Sequence, residues 1–498
     1  MTRGYFSYAA TPAAVPSAPA ESERFEVADL GRFRRQLVRR FVSQARAAER
    51  PTLGSTIAEH LGVPVHDLPI VEESWPAYEH VNVQAALDAW LQGRQHELVG
   101  ITNYRHRGAF GLSDLLTADP MEALHGPRPG NVTRVACASG PSGATRECLR
   151  AAVVLTVSDG VPLAALFRGP DRDSETYGVS VEIVSEDPHA AQAMAADLRR
   201  MSLELNVYRG QVVSFGHTMF GERSSLLRFH ERPSMAPEDL ILPPETFADV
   251  RRQVVGVARN SSRLRAAGQH LKRGLLLYGP PGVGKTHTVR YLMGELRDTT
   301  IVQLTGETLG AIRDACSIAR TLQPAMIVVE DVDLIAQERD HYSGEGQLLF
   351  TLLNEMDGLD EDADVVFLLT TNRADLLEPA LASRPGRVDQ AVHIDLPDRT
   401  ARQRLMELYR GCLDVDLSGI DEILDRTEGV TASFLKELLR RSAVIAADRS
   451  DAPAEEPLAV SAEDLTQAVT DLLDTRNAMT RAVLGFRDAG EAQAPVGD

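Results

Sequence analysis

The stretch Gly274–Thr286, GLLLYGPPGVGKT, limits the fold more than any other in this 498-residue chain. Leu275–Tyr278 is a short apolar run of the kind expected of a buried parallel strand. Gly279, Pro280, Pro281, Gly282, Val283, Gly284, Lys285 and Thr286 then fit G-x-x-x-x-G-K-[ST] in full. The glycines allow the backbone to wrap a phosphate chain with its N–H groups turned inward. Lys285 is expected to reach the β- and γ-phosphates, and the Thr286 hydroxyl to ligate Mg²⁺. A helix over about Thr286–Glu295, with His287 in its first turn, offers its positive N-terminus to the same phosphates. Of the 52 basic residues, Lys272, Lys285 and Lys436 alone are lysines. A planar guanidinium is a poor substitute for a compact ammonium inside such a loop, so a lysine at 285 is what the chemistry demands.

The length predicts two to four domains. A net charge of −19 argues against a surface built for nucleic acid or an anionic membrane. The four cysteines, Cys137, Cys148, Cys316 and Cys412, fit no zinc or redox spacing. They are expected to be plain buried thiols in a reducing cytoplasm. The N-terminus has no signal-peptide apolar core, and no run of 18 apolar residues predicts a membrane span.

Residues 1–25 read as a disordered Ala/Pro/Ser-rich N-terminus. Leu30, Phe33, Leu37, Phe41 and Ala45 recur at helical spacing, and Arg32–Arg46 crowd the other faces. Residues 26–125 are expected to be mostly helical, with Trp75, Leu87 and Trp90 in the core. Gly126–Gly130 marks a break. Residues 130–232 are expected to form a small α+β module, with strands at Ala152–Val157, Leu163–Phe167, Val179–Val184 and Gln211–Phe215 and a helix over Pro188–Leu205. His189, His217 and His230 are scattered and read as structural. The nucleotide core is placed at 235–395, a helical lid at 396–485 and a tail at 486–498.

A second motif follows the first. Met326–Val329 is an apolar strand that runs straight into Glu330 and Asp331, 45 residues after Lys285. Glu330 is expected to hold Mg²⁺ and Asp331 to polarise the attacking water. Val365–Thr370 is another buried strand, ending at Thr371-Asn372-Arg373.

Together these residues resemble the AAA branch of the AAA+ ATPases over about residues 240–475. The phosphate loop, the Glu330-Asp331 pair, Leu352–Leu359 (LLNEMDGL), TTNRADLLEPAL at 370–381 and RPGRVD at 384–389 fall in the family's order. The resemblance implies an α/β P-loop AAA+ core, a five-stranded parallel sheet between helices, with a C-terminal helical lid; the N-terminal α+β region lies outside it. It implies ATP and Mg²⁺ as cofactors and a homo-oligomeric ring, usually a hexamer, with ATP at each seam. Asn372 then positions the hydrolytic water, and Arg387 is the finger that reaches the neighbour's γ-phosphate.

Four positions depart from the pattern. The acidic pair is Glu-Asp rather than Asp-Glu, an order shared with the mitochondrial branch that translocates the Rieske iron–sulfur protein. The second finger position is Gln390. Ala432-Ser433 replaces a Gly-Ala pair, and Lys436 nearby is not expected to act as a sensor. Thr305–Gly310 is short and lacks the aromatic of a threading pore loop, although Tyr342 is a candidate for a second loop. The expectation is a cytoplasmic ATPase that remodels or handles a protein client chosen by residues 26–232; a nucleic-acid motor is a weaker reading, with only the Arg32–Arg46 helix for it and the acidic total against it. The alternative is an ATP-assembled scaffold or switch with negligible turnover.

Overall fold

Two seven-stranded sheets carry the chain. The computed structural model describes residues 52–102, 110–116, 127–171, 177–216, 226–333, 346–373, 387–450 and 456–474. The N-terminal tail, the Arg32–Arg46 helix, Tyr342, the Asp375–Leu381 segment, Arg384–Gly386 and the C-terminal tail lie outside the described residues.

The first sheet is antiparallel. Its strands are β1 (Ile70–Pro76), β2 (His96–Thr102), β3 (Arg128–Gly130), β4 (Thr133–Ala138), β5 (Thr145–Ser158), β6 (Val161–Arg168) and β7 (Gly178–Val184). They run in the order β1-β7-β6-β5-β2-β3, with β4 also on β5. The β5–β6 hairpin closes through Asp159 and Gly160, at φ 51° and 83°, as a tight two-residue turn requires. β5 is long enough to pair β2 through Ala152–Thr156 and β4 through Thr145–Ala151. The helices His80–Leu91 and Pro188–Glu204 bury Trp75, Leu87, Trp90 and Leu198 on one face. The helix Leu53–Leu61 packs Leu53 and Ile57 on the other. A buried pair, Arg168–Glu182 at 2.6 Å, ties β6 to β7, and Glu182 also accepts from the Leu112 N–H. Paired and hydrogen-bonded in this way, the two charges escape the cost of isolated burial.

This arrangement corrects two expectations. Residues 53–125 supply two strands of the sheet, β1 and β2, as well as helices. The boundary at 126–130 is not one, because Arg128–Gly130 pairs with β2 and the sheet runs across it. β1 reads IVEESWP, whose glutamates hide the strand; pairing with β7, a hundred residues on, is what forms it.

The second sheet holds β8 (Val212–Gly216), β9 (Leu226–His230), β10 (Arg273–Tyr278), β11 (Thr300–Leu304), β12 (Ala325–Val329), β13 (Val365–Thr371) and β14 (Gln390–His393). The order is β14-β10-β13-β12-β11-β8-β9. The first five are parallel, as the P-loop reading requires. β8 was expected in the preceding module, yet it adds parallel to β11, with β9 antiparallel beyond it. An edge left bare at β11 would expose unpaired backbone groups, and the hairpin covers it. Arg232, just after β9, donates to the carbonyls of Met293, Leu296, Gly210 and Thr299 and so caps the end of the helix Lys285–Glu295.

The lid holds the helices Arg399–Tyr409, Ile420–Arg426, Ala432–Arg449 and Ala462–Leu473 around its own core of Leu405, Phe434, Leu438 and Leu465. The expected capping box is present: Ser461 Oγ accepts from the Asp464 N–H at 3.2 Å, and Asp464 Oδ2 accepts from the Ser461 N–H at 2.9 Å. No helix among the described residues is long and apolar enough to cross a membrane.

Candidate nucleotide site

Three strand ends make the site. β13 lies between β10 and β12, so the C-terminal ends of all three open on one crevice. β10 delivers the phosphate loop, β12 delivers Glu330-Asp331, and β13 delivers Asn372. The carboxyl ends of parallel strands are where open α/β sheets bind their ligands.

The loop needs its glycines for two separate reasons. Gly279, Gly282 and Gly284 have φ of 150°, 79° and 111°, where side chains other than glycine's are strained. Gly279 also lies against the chain after β14: a Cβ there would fall 2.2 Å from the Ile394 carbonyl oxygen. At Gly282 a Cβ would meet the Ser433 side chain at 2.8 Å, because the lid helix Ala432–Arg449 starts against the loop. The Ser433 N–H donates to the Gly282 carbonyl at 3.1 Å. The Ala432-Ser433 departure therefore falls on a direct contact between lid and loop.

Lys285 is 7% exposed. Its Nζ donates at 2.8 Å to the carbonyls of Gly279 and Pro280 and to Asn372 Oδ1. Among the described residues no carboxylate comes within ion-pair reach of it. Burial pulls its pKa below the ordinary lysine range, and the nearby charges of Asp331 and Asp333 oppose that. A buried ammonium held by neutral acceptors is under-compensated, which suits it to an incoming phosphate.

Thr286 Oγ1 donates to Glu330 Oε2 at 3.0 Å, so a hydroxyl and a carboxylate meet at the end of the loop. They are hard oxygen donors of the type Mg²⁺ takes alongside phosphate oxygens. Burial raises the pKa of Glu330, the Thr286 hydrogen bond works against this, and the charge of Asp331 adds to the rise. A divalent cation at the carboxylate reverses that tendency. His287 is held below its usual pKa by burial first, then by the charges of Lys436 and Arg290. A neutral imidazole thus sits in the first turn of the loop helix.

Asp331 occupies the left-handed region, φ 55°. Its N–H donates to Thr370 Oγ1 at 3.1 Å, and its Oδ1 lies 3.5 Å from Asn372 Nδ2. Short polar side chains tolerate this backbone conformation better than long ones. That gives a local reason for aspartate rather than glutamate at the second position of the pair.

One residue escaped the sequence reading. Asp333, 5% exposed, accepts at 2.9 Å from Thr371 Oγ1 and at 3.2 Å from the Asn372 N–H. It fixes the end of β13 and with it the Asn372 side chain. The signal was present as a third acid two residues past Asp331, but nothing in the sequence aims it at β13.

Arg387 lies at the far side of this constellation. It is 8% exposed and clasps Asp357 of the same chain through Nε at 3.0 Å and a terminal nitrogen at 2.8 Å. Its backbone carbonyl lies so close to Gly274 that a Cβ there would be 1.9 Å away. Asp389 accepts from the Gly274 N–H at 2.8 Å, so Arg387–Asp389 also stitches β10 to the start of β14. Gln390 opens β14. The short segment after β11 turns inward: Leu309 is buried in the core with Ile312 and Ala315.

Residues 275–396 match the family described as ATPase family associated with various cellular activities (AAA), which gives the chain an AAA ATPase domain. Curated relatives extend the likeness. An ATP-dependent zinc metalloprotease FtsH 2 from Sphaerobacter thermophilus is 33% identical over 338 residues, 61% of this chain and 50% of the relative. FtsH 4 of the same organism is 30% identical over 345 residues, 64% of this chain and 51% of the relative. FtsH of Thermus thermophilus is 34% identical over 231 residues, 41% of this chain and 36% of the relative. The chain spans about half the length, or less, of these relatives. They are FtsH proteins rather than members of the Rieske-protein translocase branch, so the branch suggested by the Glu-Asp order is not the one these matches support.

Proposed function

We propose, from the AAA ATPase domain at residues 275–396, that the protein hydrolyses ATP with Mg²⁺ to remodel or handle a protein partner selected by its N-terminal region. The observation that carries the reading is the buried Lys285 ammonium, held among the described residues by two carbonyls and Asn372 at the mouth of three parallel strands. Mg·ATP, when bound, supplies the phosphoanhydride bond to be cleaved and the cation that spreads its charge.

Each residue has one task in this scheme. Lys285 and the loop N–H groups bind the phosphates. Thr286 and Glu330 hold the cation. Asn372 orients a water, and Asp331 accepts its proton. Asp333 acts through Asn372 as a positioning residue. Arg387, once released from Asp357, serves a neighbouring subunit in a homo-oligomeric ring, taken as a hexamer. The cysteines, all free, suit a reducing cytoplasm.

The relatives are named as ATP-dependent proteases, which favours a protein as the client. The zinc metalloprotease activity in their names is said of those relatives. The buried Leu309 and the lack of an aromatic after β11 favour handling of a folded client over threading. The in-chain Arg387–Asp357 pair favours a second reading, an ATP-assembled switch with little turnover.

Steady-state phosphate release against protein concentration separates the two. Lys285→Ala is expected to lose ATP-dependent thermal stabilisation. Asp331→Asn is expected to keep it and to turn over about 10²–10⁴-fold more slowly, the usual worth of a general base. Negligible release by the wild type at every concentration, with ATP still bound, selects the switch.

A further inference from the structure

The geometry points to a metal site away from the nucleotide: we propose that His80, Cys137 and Cys148 bind one thiophilic cation, Zn²⁺, where the first sheet meets the nucleotide core. The three ligand atoms lie within 4.8 Å of one another. His80 opens its helix, Cys137 is on β4 and Cys148 on β5. In sequence they are spread over 69 residues with no zinc spacing, and only the fold gathers them.

The histidine is already set for ligation. Its Nε2 lies 2.8 Å from the Leu149 carbonyl, which can only accept, so the ring proton is on Nε2. The lone pair of a neutral ring is then on Nδ1, 3.5 Å from Cys137 Sγ. A backbone carbonyl on the outer nitrogen is the usual way a metal-binding histidine is oriented. With Zn–N near 2.0–2.1 Å and Zn–S near 2.3 Å, a tetrahedral N···S edge is about 3.5–3.6 Å. The His80–Cys137 separation is that edge.

The surroundings hold the ring in place. It lies tilted by 30° against Phe167, with centroids 5.9 Å apart. Gly169 leaves space for it, since a Cβ there would be 2.5 Å from two of the ring atoms. Cys148 is fully buried and Cys137 only partly, so the fourth position, left to water, opens on the Cys137 side.

The register favours an ion over a disulfide. Val135 pairs with Cys148 and Cys137 with Arg146, so the two cysteines are diagonal neighbours on one face. Such diagonals are about 7–8 Å apart, beyond the usual span of a disulfide, about 4.4–6.8 Å between Cα atoms. Imidazole plus two thiolates is a donor set that suits zinc, and two thiolates neutralise its charge.

The site lies in the core that joins the two sheets. Cys148 shares a cluster with Tyr208, Phe215 and Leu227, and Cys137 packs against it. The Tyr208 hydroxyl donates to the Tyr78 carbonyl at 2.5 Å, two residues before His80. Zinc here would tie the His80 helix to β4 and β5 of the first sheet, on the side where that sheet packs against the strand pair β8–β9. This inference does not depend on the proposed function.

The test uses the full chain, purified under reductant and stripped with a chelator. Zn²⁺ is titrated against a chromophoric competitor, and Co²⁺ is added separately to read thiolate-to-metal absorption. The wild type and Cys412→Ser, an exposed control, are expected to bind one Zn²⁺ per chain and to show the Co²⁺ band. Cys137→Ser is expected to lose the band and at least about tenfold in affinity, no less than outer-shell substitutions cost. Because Cys137 is partly exposed and serine nearly isosteric, this variant carries the conclusion; circular dichroism verifies its fold, and Cys148→Ser is the second variant. A wild type without stoichiometric Zn²⁺, a Co²⁺ band unchanged in Cys137→Ser, or a Cys137–Cys148 disulfide in protein purified without reductant overturns the site.

Discussion

Asp333 and Glu330 each make a claim at the scale of one residue. Asp333 satisfies two donors at the end of β13, and removing it leaves both unpaired in a buried place. Asp333→Ala is expected to cost about 1–3 kcal/mol in denaturant unfolding. If its role is to aim Asn372, kcat falls while KM for ATP stays within a few-fold, and Asp333→Asn restores part of kcat. A purely structural acid would move stability and leave kcat per folded molecule unchanged. Glu330 gives a pH signature. Its carboxyl is raised above the ordinary 4.5, so the folded state holds that proton more tightly than the unfolded chain. Its contribution to stability is therefore fully present below pH 4.5 and lost as pH rises through the raised folded value. The difference between wild type and Glu330→Gln in urea unfolding, measured from pH 4 upward without nucleotide, is expected to show this decline. Saturating Mg·ATP is expected to abolish it. A wild type that gains stability relative to Glu330→Gln as pH rises, in the nucleotide-free protein, would contradict the burial argument.

At the scale of elements, the contact that matters is between the lid helix Ala432–Arg449 and the phosphate loop. Thr431 caps that helix through the Phe434 N–H, and Ser433 in the same first turn reaches Gly282. Gly282→Ala forces a left-handed residue, about 1–2 kcal/mol, and drives a methyl into Ser433. The expected result is weaker ATP binding and a smaller thermal shift on adding ATP, with the nucleotide-free Tm lowered by only a few degrees. Gly282→Ala combined with Ser433→Gly removes the two closest contacts and leaves the strain and the Thr431 hydroxyl at 3.1 Å, so it is expected to recover part of the ATP affinity. No recovery would mean that backbone conformation alone sets the loop, and that the lid contact is incidental.

For the whole molecule, the question is whether Arg387 works across a subunit seam. Within one chain it clasps Asp357 at 2.8 Å. To act in trans it must leave that partner, and Gln390 offers no second cation. Arg387→Ala is expected to bind ATP as tightly as wild type and to lose about 10³–10⁵ in turnover, the worth of an arginine supplied to a phosphoryl-transfer site. Mixing it with Lys285→Ala subunits is expected to restore some activity, because each intact Arg387 then faces an intact loop. Specific activity is also expected to rise with protein concentration. Concentration-independent turnover with no rescue on mixing returns Arg387 to a structural role beside Asp357.

What the sequence determined by itself was local and periodic. A strand, a glycine-rich turn and a helix are specified within thirteen residues, so Gly274–Thr286 announced both the fold class and the phosphate site. Apolar runs likewise marked β12 and β13, because a strand buried on both faces needs nothing but apolar side chains. Ser461 and Asp464 announced a cap because a capping box is made within one turn. The tertiary structure decided whatever depends on partners distant in the chain. β1 exists because β7 pairs with it, and β8 belongs to the ATPase sheet because β11 had an open edge. Asp333 gained its task when β13 came to lie beside β12, and Arg387 found Asp357 thirty positions away in the sequence. His80, Cys137 and Cys148 became neighbours in the same way: strand register, to which residue spacing is blind, set two thiols beside an imidazole.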